Sequence, residues 1–237
     1  MTESDVLALP LTAEEELVIS SDNSGAIGEK KADAVSVPNE VTSYFACRVA
    51  YMDLLRTRAT PKAIILQNFT SDDAWTSYVE GVRNLLKETT FTNLPITGST
   101  ESNFTMLQSG LGLTIVGTRK RNELKRPRPK LTDAFAVIGR PLVGMEVPKQ
   151  PEHIAPLQLF ESFAKNNAII DLVPVGSKGI LAEWQRLTQA TNHLSSSLDI
   201  KKSGGPATCF IIAYNKKDEG YIKSIAKNYF YPLEVLI

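Results

Sequence analysis

Between two amphipathic helical patterns lies the continuous apolar run Ala63-Ile64-Ile65-Leu66, and this arrangement constrains the fold more than any other feature of the chain. The segment Lys62–Phe69 that contains it reads as a strand, and an uninterrupted apolar run is the pattern of a strand buried on both faces. Upstream, Val41, Phe45, Val49, Met52 and Leu55 recur at spacings of three and four. They predict one apolar stripe on a helix running from Pro38 to about Arg58. Pro38 suits a first helical position, and Arg56 and Arg58 suit the negative end of the helix dipole. Downstream, Ser71-Asp72-Asp73 caps a second helix to about Lys87, with Trp75, Val79, Val82 and Leu86 on one face. Helix, strand and helix at this spacing call for layers of helix on sheet.

The remaining pattern extends that reading. Val6–Pro10 and Glu16–Ser20 read as short strands around a polar turn. Leu94–Thr97 and Thr105–Gly117 read as strands, with Gly-x-Gly breaks at Gly110 and Gly112, so a first α/β or α+β domain ends near Gly117. The second half reads as strand Ala134–Ile138, a helix Leu157–Lys165 opened by Pro156, and strand Ala168–Val173. A glycine turn then leads to an amphipathic helix carrying Ile180, Trp184 and Leu187. Strand Cys209–Tyr214, a short helix near Glu219–Asn228 and a last strand Leu233–Ile237 complete it. The expected domains are 1–118 and 131–237, joined by a basic connector at 119–130.

Charge narrows the function classes. Lys+Arg 26 balances Asp+Glu 26, so no global field draws the chain to nucleic acid or to a membrane surface. The basic stretch Thr118–Lys130 lacks the interleaved aromatics on which bases stack, and it reads as a solvated connector, some of whose cations face a phosphate in an alternative reading. Cys47 and Cys209 lack metal-ligand spacing and read as buried free thiols. The acidic N-terminus has no signal-peptide pattern and no 18-residue apolar run occurs, so the expectation is a cytoplasmic protein without a membrane span.

The chemistry-bearing residues cluster in a few places. Asp22-Asn23-Ser24-Gly25-Ala26-Ile27-Gly28-Glu29-Lys30 follows an apparent strand and combines a carboxylate, two glycines and a lysine, parts suited to a magnesium-bound polyphosphate. It is not a P-loop, because G-x-x-x-x-G-K-[ST] is absent. An ordinary turn is the competing reading. Asp53 lies in the apolar stretch Ala50–Leu55, paired with Arg56 or exposed in the bland reading, and Glu101 follows Gly98-Ser99-Thr100 at a strand end. Magnesium takes few carboxylates besides phosphate oxygens, so Asp22, Asp53 and Glu101 form a candidate set. Lys178, between Gly176-Ser177 and Gly179 at a helix N-terminus, is placed to meet an anion or simply to cap. Ser203-Gly204-Gly205 is a further glycine turn. His153 and His193 stand in polar stretches without metal-ligand partners.

Taken in order, these pieces resemble the aminoimidazole ribonucleotide synthetase-like (PurM-like) superfamily. Asp22 with Gly25, Gly28 and Lys30 resembles its D-G-x-G-T-K segment. Met52-Asp53-Leu54-Leu55 with Ala59-Thr60-Pro61 is similar to N-D-L followed by G-A-x-P, and Gly98–Glu101 to G-G-E-T. Leu111–Gly117 is similar to the strand that closes the first domain, and Asp171, Gly176, Gly179 and Ala182-Glu183 to the second-domain D-x-[ST]-x-G-G-L. Within the superfamily, Asp22–Lys30, Thr97–Asn103, Pro174–Ile180 and Ser203–Thr208 look most like the α-ribazole kinases. Leu66-Gln67-Asn68 departs from the family by lacking a strand aspartate, and the second-domain glycine pair is split.

The resemblance implies an α+β, α/β-layered fold of two domains, an N-terminal mixed sheet with helices that pairs in a homodimer and a smaller C-terminal domain. It implies ATP- and Mg2+-dependent phosphorylation of the ribose 5′-hydroxyl of a riboside, α-ribazole. Asp22 and Lys178 would be catalytic, and Asp22, Asp53 and Glu101 would hold metal. Asn23, Ser24, Gly25, Gly28, Lys30, Gly98, Ser99, Thr100, Ser177 and Gly179 would bind the nucleotide. Another ATP-dependent synthetase or maturation activity of the superfamily, and a nucleotide-binding protein without catalysis, remain as alternatives.

Overall fold

The computed structural model describes residues 6–121 and 126–236; the expected acidic N-terminus, Asn122–Lys125 of the basic connector and Ile237 lie outside the described residues. The chain divides into two compact units, Met1–Glu123 and Leu124–Ile237.

In the first unit, β1 (Val6–Pro10), β2 (Glu15–Gly25), β5 (Thr60–Asn68), β6 (Ile96–Thr100) and β7 (Gly110–Lys120) form one sheet in the order β1-β2-β7-β5-β6. All neighbours are antiparallel except β5 and β6, which are parallel and joined through α2 (Ala74–Lys87). A two-residue parallel ribbon, β3 (Ile27–Gly28) with β4 (Val35–Ser36), leads into α1 (Asn39–Arg56). Helix α1 packs on β2, β7 and α2. The two helices meet closely at Gly81, where a Cβ would stand 2.0 Å from the carbonyl oxygen of Glu40.

Side-chain alternation sorts the sheet into two faces. Val18, Ile64, Leu66, Leu111, Leu113 and Ile115 are fully buried on the helix face. On the other face Leu17, Ile19, Ile65 and Val116 are half-buried, and Leu7 and Leu9 are exposed. The expectation that Ala63–Leu66 is buried on both faces is therefore corrected. Only Ile64 and Leu66 are, because both helices cover the same side.

In the second unit, β8 (Ala134–Ile138), β9 (Ile169–Pro174), β10 (His193–Ser195), β11 (Phe210–Tyr214) and β12 (Phe230–Leu236) form an antiparallel sheet, order β10-β12-β8-β11-β9. Phe135, Val137, Val173 and Ile211 pack with Ile180 and Trp184 of α5 (Gly179–Thr188). Phe160 and Phe163 of α4 (Leu157–Lys165) meet Phe210 edge-on, at centroid distances of 5.0 and 6.2 Å. Two short helices, α3 (Glu146–Lys149) and α6 (Glu219–Ala226), complete the unit. The last strand starts three residues before the expected Leu233. Pro232 is tolerated because β10 pairs only with Glu234–Leu236, so no neighbour asks for the missing amide on that side. Both cysteines are buried free thiols, and burial pushes the Cys47 thiol far up.

Candidate functional site

The register of the first sheet brings two of the sequence-predicted segments to one end. Asp22 stands opposite Leu113, Leu113 opposite Leu66, and Leu66 opposite Gly98. The next rung is Asn23–Gly112–Gln67–Ser99, and the one after it Ser24–Leu111–Asn68–Thr100. Segments 22–25 and 98–100 thus flank β7 and β5 on the same three rungs, about 14 Å apart across three strand spacings. Asp22 to Gly25 are not a loop after a strand, as their composition suggests; β7 pairs with β2 as far as Gly25–Gly110 and holds them extended.

Alternation splits these residues between the faces. Asp22, Ser24, Gly98 and Thr100 take the helix face, with Asn23, Gly25, Gly112, Gln67 and Ser99 on the other. Asp22 is half-buried, and burial raises its carboxyl to about 6 although the Asn23 amide works in the opposite direction. Among the described residues none forms an ion pair with it. Gly98 is needed for packing: a Cβ there would lie 1.9 Å from the carbonyl oxygen of Leu66.

The residues after Gly25 are committed to their own loop. A Cβ on Gly28 would meet Ser109 Oγ at 2.4 Å and Asn39 Oδ1 at 2.9 Å. Asp33 accepts from the Lys30 amide (2.9 Å), the Ser109 amide (2.7 Å) and the Ser109 hydroxyl (2.7 Å). Partial burial works against the Asp33 charge, and these donors outweigh it and hold the carboxyl below its ordinary range. The ammonium of Lys30 donates to the carbonyl of Met106 at 2.6 Å. Gly28 and Lys30 therefore serve the junction between this loop and residues 106–109. Gly25, unlike Gly28, has nothing within 4 Å of its Cβ direction.

Asn68, in the Leu66-Gln67-Asn68 segment that departs from the resembled pattern by lacking an aspartate, is fully engaged. Its amide nitrogen donates to the Ser71 carbonyl (2.7 Å) and Thr100 Oγ1 (3.1 Å), while Oδ1 accepts from the Thr70 amide (2.9 Å). An ionised aspartate supplies neither donor, so the departure in sequence is a clamp between β5, β6 and the turn into α2. Asp33 and Ser109 were not singled out from sequence. The D-x-x-x spacing around Lys30 gives no hint of a partner 76 residues away.

The three acidic candidates are not gathered. Asp53 is buried in α1. That helix runs antiparallel to β2, with Thr42 donating to the Ile27 carbonyl and Leu54 against Gly117, which pairs with Val18. Asp53 therefore falls at the Val18 end, away from Asp22. The carboxylate of Glu101 accepts from the Asn103 amide at 2.7 Å, beyond β6. Among the described residues no group of three or more His, Cys, Asp or Glu can hold a metal ion. Asp22 by itself suits a magnesium ion whose other ligands are phosphate oxygens and water; a three-carboxylate set does not fit.

In the second unit Ser177 and Lys178 are exposed at the start of α5. Two of the amides there are taken, Gly179 by the Gly176 carbonyl (3.2 Å) and Leu181 by that of Ile200 (2.8 Å). Gly179, at φ +80° and with Lys201 and Lys202 carbonyls 2.8 Å from its Cβ direction, is required by the backbone. The basic connector is also less free than expected. Arg119 lies in β7 and pairs with Glu16 at 2.7 Å, and Arg126 donates to the Ala164 carbonyl and lies 3.9 Å from Asp171.

No protein-family model and no curated protein matches the chain, but solved structures do. Thiamine-monophosphate kinase from Aquifex aeolicus superposes with a TM-score of 0.63 at 14% identity, over 97% of this chain and 88% of that one. The thiamine-monophosphate kinase of Stenotrophomonas maltophilia gives 0.61 at 17%, over 97% and 89%. T. maritima PurL complexed with ATP gives 0.65 at 12%, over 97% of this chain and 42% of PurL, so the chain spans less than half of that protein. The two-unit α+β architecture is thus the PurM-like fold. No helix among the described residues is long and apolar enough to cross a membrane.

Proposed function

We propose that the protein is an ATP-dependent phosphotransferase acting on the ribose 5′-hydroxyl of a riboside, with α-ribazole as the acceptor its sequence motifs favour. The observation that carries this reading is the end of the first sheet. There an unneutralised, half-buried carboxylate, Asp22, and two glycine- and hydroxyl-bearing segments share three rungs. Fold neighbours that are thiamine-monophosphate kinases, and one that was crystallised with ATP, support the same class of chemistry.

In this reading Asp22 holds magnesium, which when bound would neutralise phosphate charge. The exposed backbone at Gly25 and Gly98-Ser99 gives phosphate oxygens close access to amides. Transfer of this kind depends on positioning and charge neutralisation, so no general base is assigned. A homodimer would form through the open face of the first sheet, where exposed Leu7 and Leu9 adjoin Leu17, Ile19 and Val116.

A non-catalytic nucleotide-binding role is favoured by one observation, the donor-type clamp at Asn68 in place of an acid. ADP release with magnesium and a riboside panel, α-ribazole first, decides between them. Riboside-dependent release supports the kinase. ATP binding without turnover supports the binding protein, and phosphate release with another acceptor points to a synthetase.

A further inference from the structure

One apolar cluster at the same end of the sheet is used by nothing described above. Residues 102–109 connect β6 to β7, and both roots of this connection bond to the end of β5. The Glu101 amide donates to the Asn68 carbonyl (2.8 Å), and the Phe69 amide to the Gly110 carbonyl (2.9 Å). Phe69 therefore stands between the two roots. The second half of the connection is also pinned: Lys30 holds the Met106 carbonyl, Gln108 donates to the Ala32 carbonyl at 2.7 Å, and Ser109 is bonded to Asp33.

On this fixed backbone the apolar side chains face outward. Phe104 is 77% exposed, Leu107 82%, Phe69 46% and Met106 45%. A soluble chain rarely spends four large apolar groups this way in one short region, and such patches mark binding surfaces. The surface beside Phe69 is also cleared. Gly25 and Gly110 pair on the face to which Phe69 belongs; the Phe69 side chain lies over Gly110, 3.2 Å from its Cβ direction, and Gly25 beside it has open space above. Bare strand glycines allow a flat group to lie close to backbone.

Resting on the phosphotransferase reading, we infer that Phe69, Phe104 and Leu107 form the subsite for the flat, apolar base of the acceptor riboside, beside the open backbone at Gly25. Three features of the patch select this occupant. The patch shares the open face with Gly25 and Ser99, opposite the helix face to which Asp22 belongs, it offers aromatic and aliphatic contact without a counter-charge in residues 102–109, and the open space over Gly25 suits a planar ring. The subsite sets which riboside is accepted and leaves the phosphate contacts to the glycine segments.

The test uses the full chain with Phe104→Ser and Leu107→Ser, singly and together; both positions are exposed, so melting temperatures should match wild type. The double variant is expected to raise KM for α-ribazole about tenfold or more. KM for ATP and the oligomeric state should stay unchanged. An unchanged riboside KM overturns the inference. So does a rise in KM for ATP, which would put adenine there, or dissociation of a dimer with riboside KM unaltered, which would give the patch to a second copy. Equilibrium binding of 5,6-dimethylbenzimidazole needs no turnover and separates the two readings. If wild type binds it and the double variant does not, the subsite stands even where no riboside is phosphorylated. If wild type phosphorylates α-ribazole and both proteins bind the base equally, the kinase stands and the subsite falls.

Discussion

Exchanging Asn68 for aspartate tests whether this position is a clamp or a disguised metal ligand. The side chain is 1% exposed and makes three hydrogen bonds, two as donor and one as acceptor. Asn68→Asp keeps the acceptor facing Thr70. Thr100 can turn its hydroxyl to donate, so that contact is recoverable, but an ionised carboxylate would set an oxygen against the Ser71 carbonyl at about the present 2.7 Å. The site therefore favours the protonated acid, which can still donate to Ser71. A carboxyl this buried is raised by about 2–3 pKa units, which at about 1.4 kcal/mol per unit amounts to roughly 3–4 kcal/mol at neutral pH. The sign follows from linkage. A folded value above the unfolded one leaves stability intact at acidic pH and removes it as pH climbs through the folded value. Melting followed by circular dichroism should place the variant roughly 10–20 °C below wild type at about pH 7.5 and only a few degrees below it at about pH 4. A melting temperature equal to wild type at about pH 7.5, or one restored by added magnesium, would refute the clamp.

Three further outcomes follow from the same geometry. Asp22→Asn should abolish riboside-dependent ADP release. In metal-free buffer it should also gain stability relative to wild type as pH rises through about 6, by roughly 1–3 kcal/mol, because the folded state penalises the ionised acid; a variant that melts well below wild type at neutral pH would show a structural role. Gly98→Ala and Gly81→Val place atoms about 2 Å from the Leu66 and Glu40 carbonyls, and each should cost about 3 kcal/mol or prevent folding; chemical denaturation within about 0.5 kcal/mol of wild type would contradict the close approaches. Leu7→Lys with Leu9→Lys should yield a monomer in sedimentation analysis without loss of helicity, and a dimer that survives both changes would remove the open sheet face from consideration.

Periodic elements were readable from residues, and pairing was not. The Ile180–Trp184–Leu187 face of α5 is buried where periodicity puts it, whereas in α1 the helix is found but the stripe is not: Val41, Phe45 and Val49 are half-buried, and Ser43, Cys47, Ala50, Tyr51 and Leu54 take the covered positions because both the sheet and α2 pack on this helix. Asp22-Asn23-Ser24-Gly25 misled, since all four residues favour turns. Only pairing with β7, some ninety positions later, holds them extended, and such tertiary context overrides local preference. Gly110 and Gly112 looked like breaks for the same reason, yet both lie within β7. Strand β10 has three residues and one buried side chain, Leu194, too little for any period to register. At the site, the residue types were legible but their grouping was not. That segments 22–25 and 98–100 share rungs depends on the register of two intervening strands, and that Lys30 and Gly28 serve Ser109 and Met106 depends on a loop remote in sequence.

The place of β7 between β2 and β5 bears on how the chain is made. Synthesis delivers β1-β2 first and β5-α2-β6 next, two fragments with no strand in common. Only when Gly110–Lys120 emerges can one strand pair on both sides and join them. Until then β2 and β5 each carry an unpaired edge, the exposure that makes nascent sheets prone to wrong partners. The first unit therefore completes its sheet with its final strand, and its folding rate is governed by contacts that close about forty to one hundred residues of chain at once.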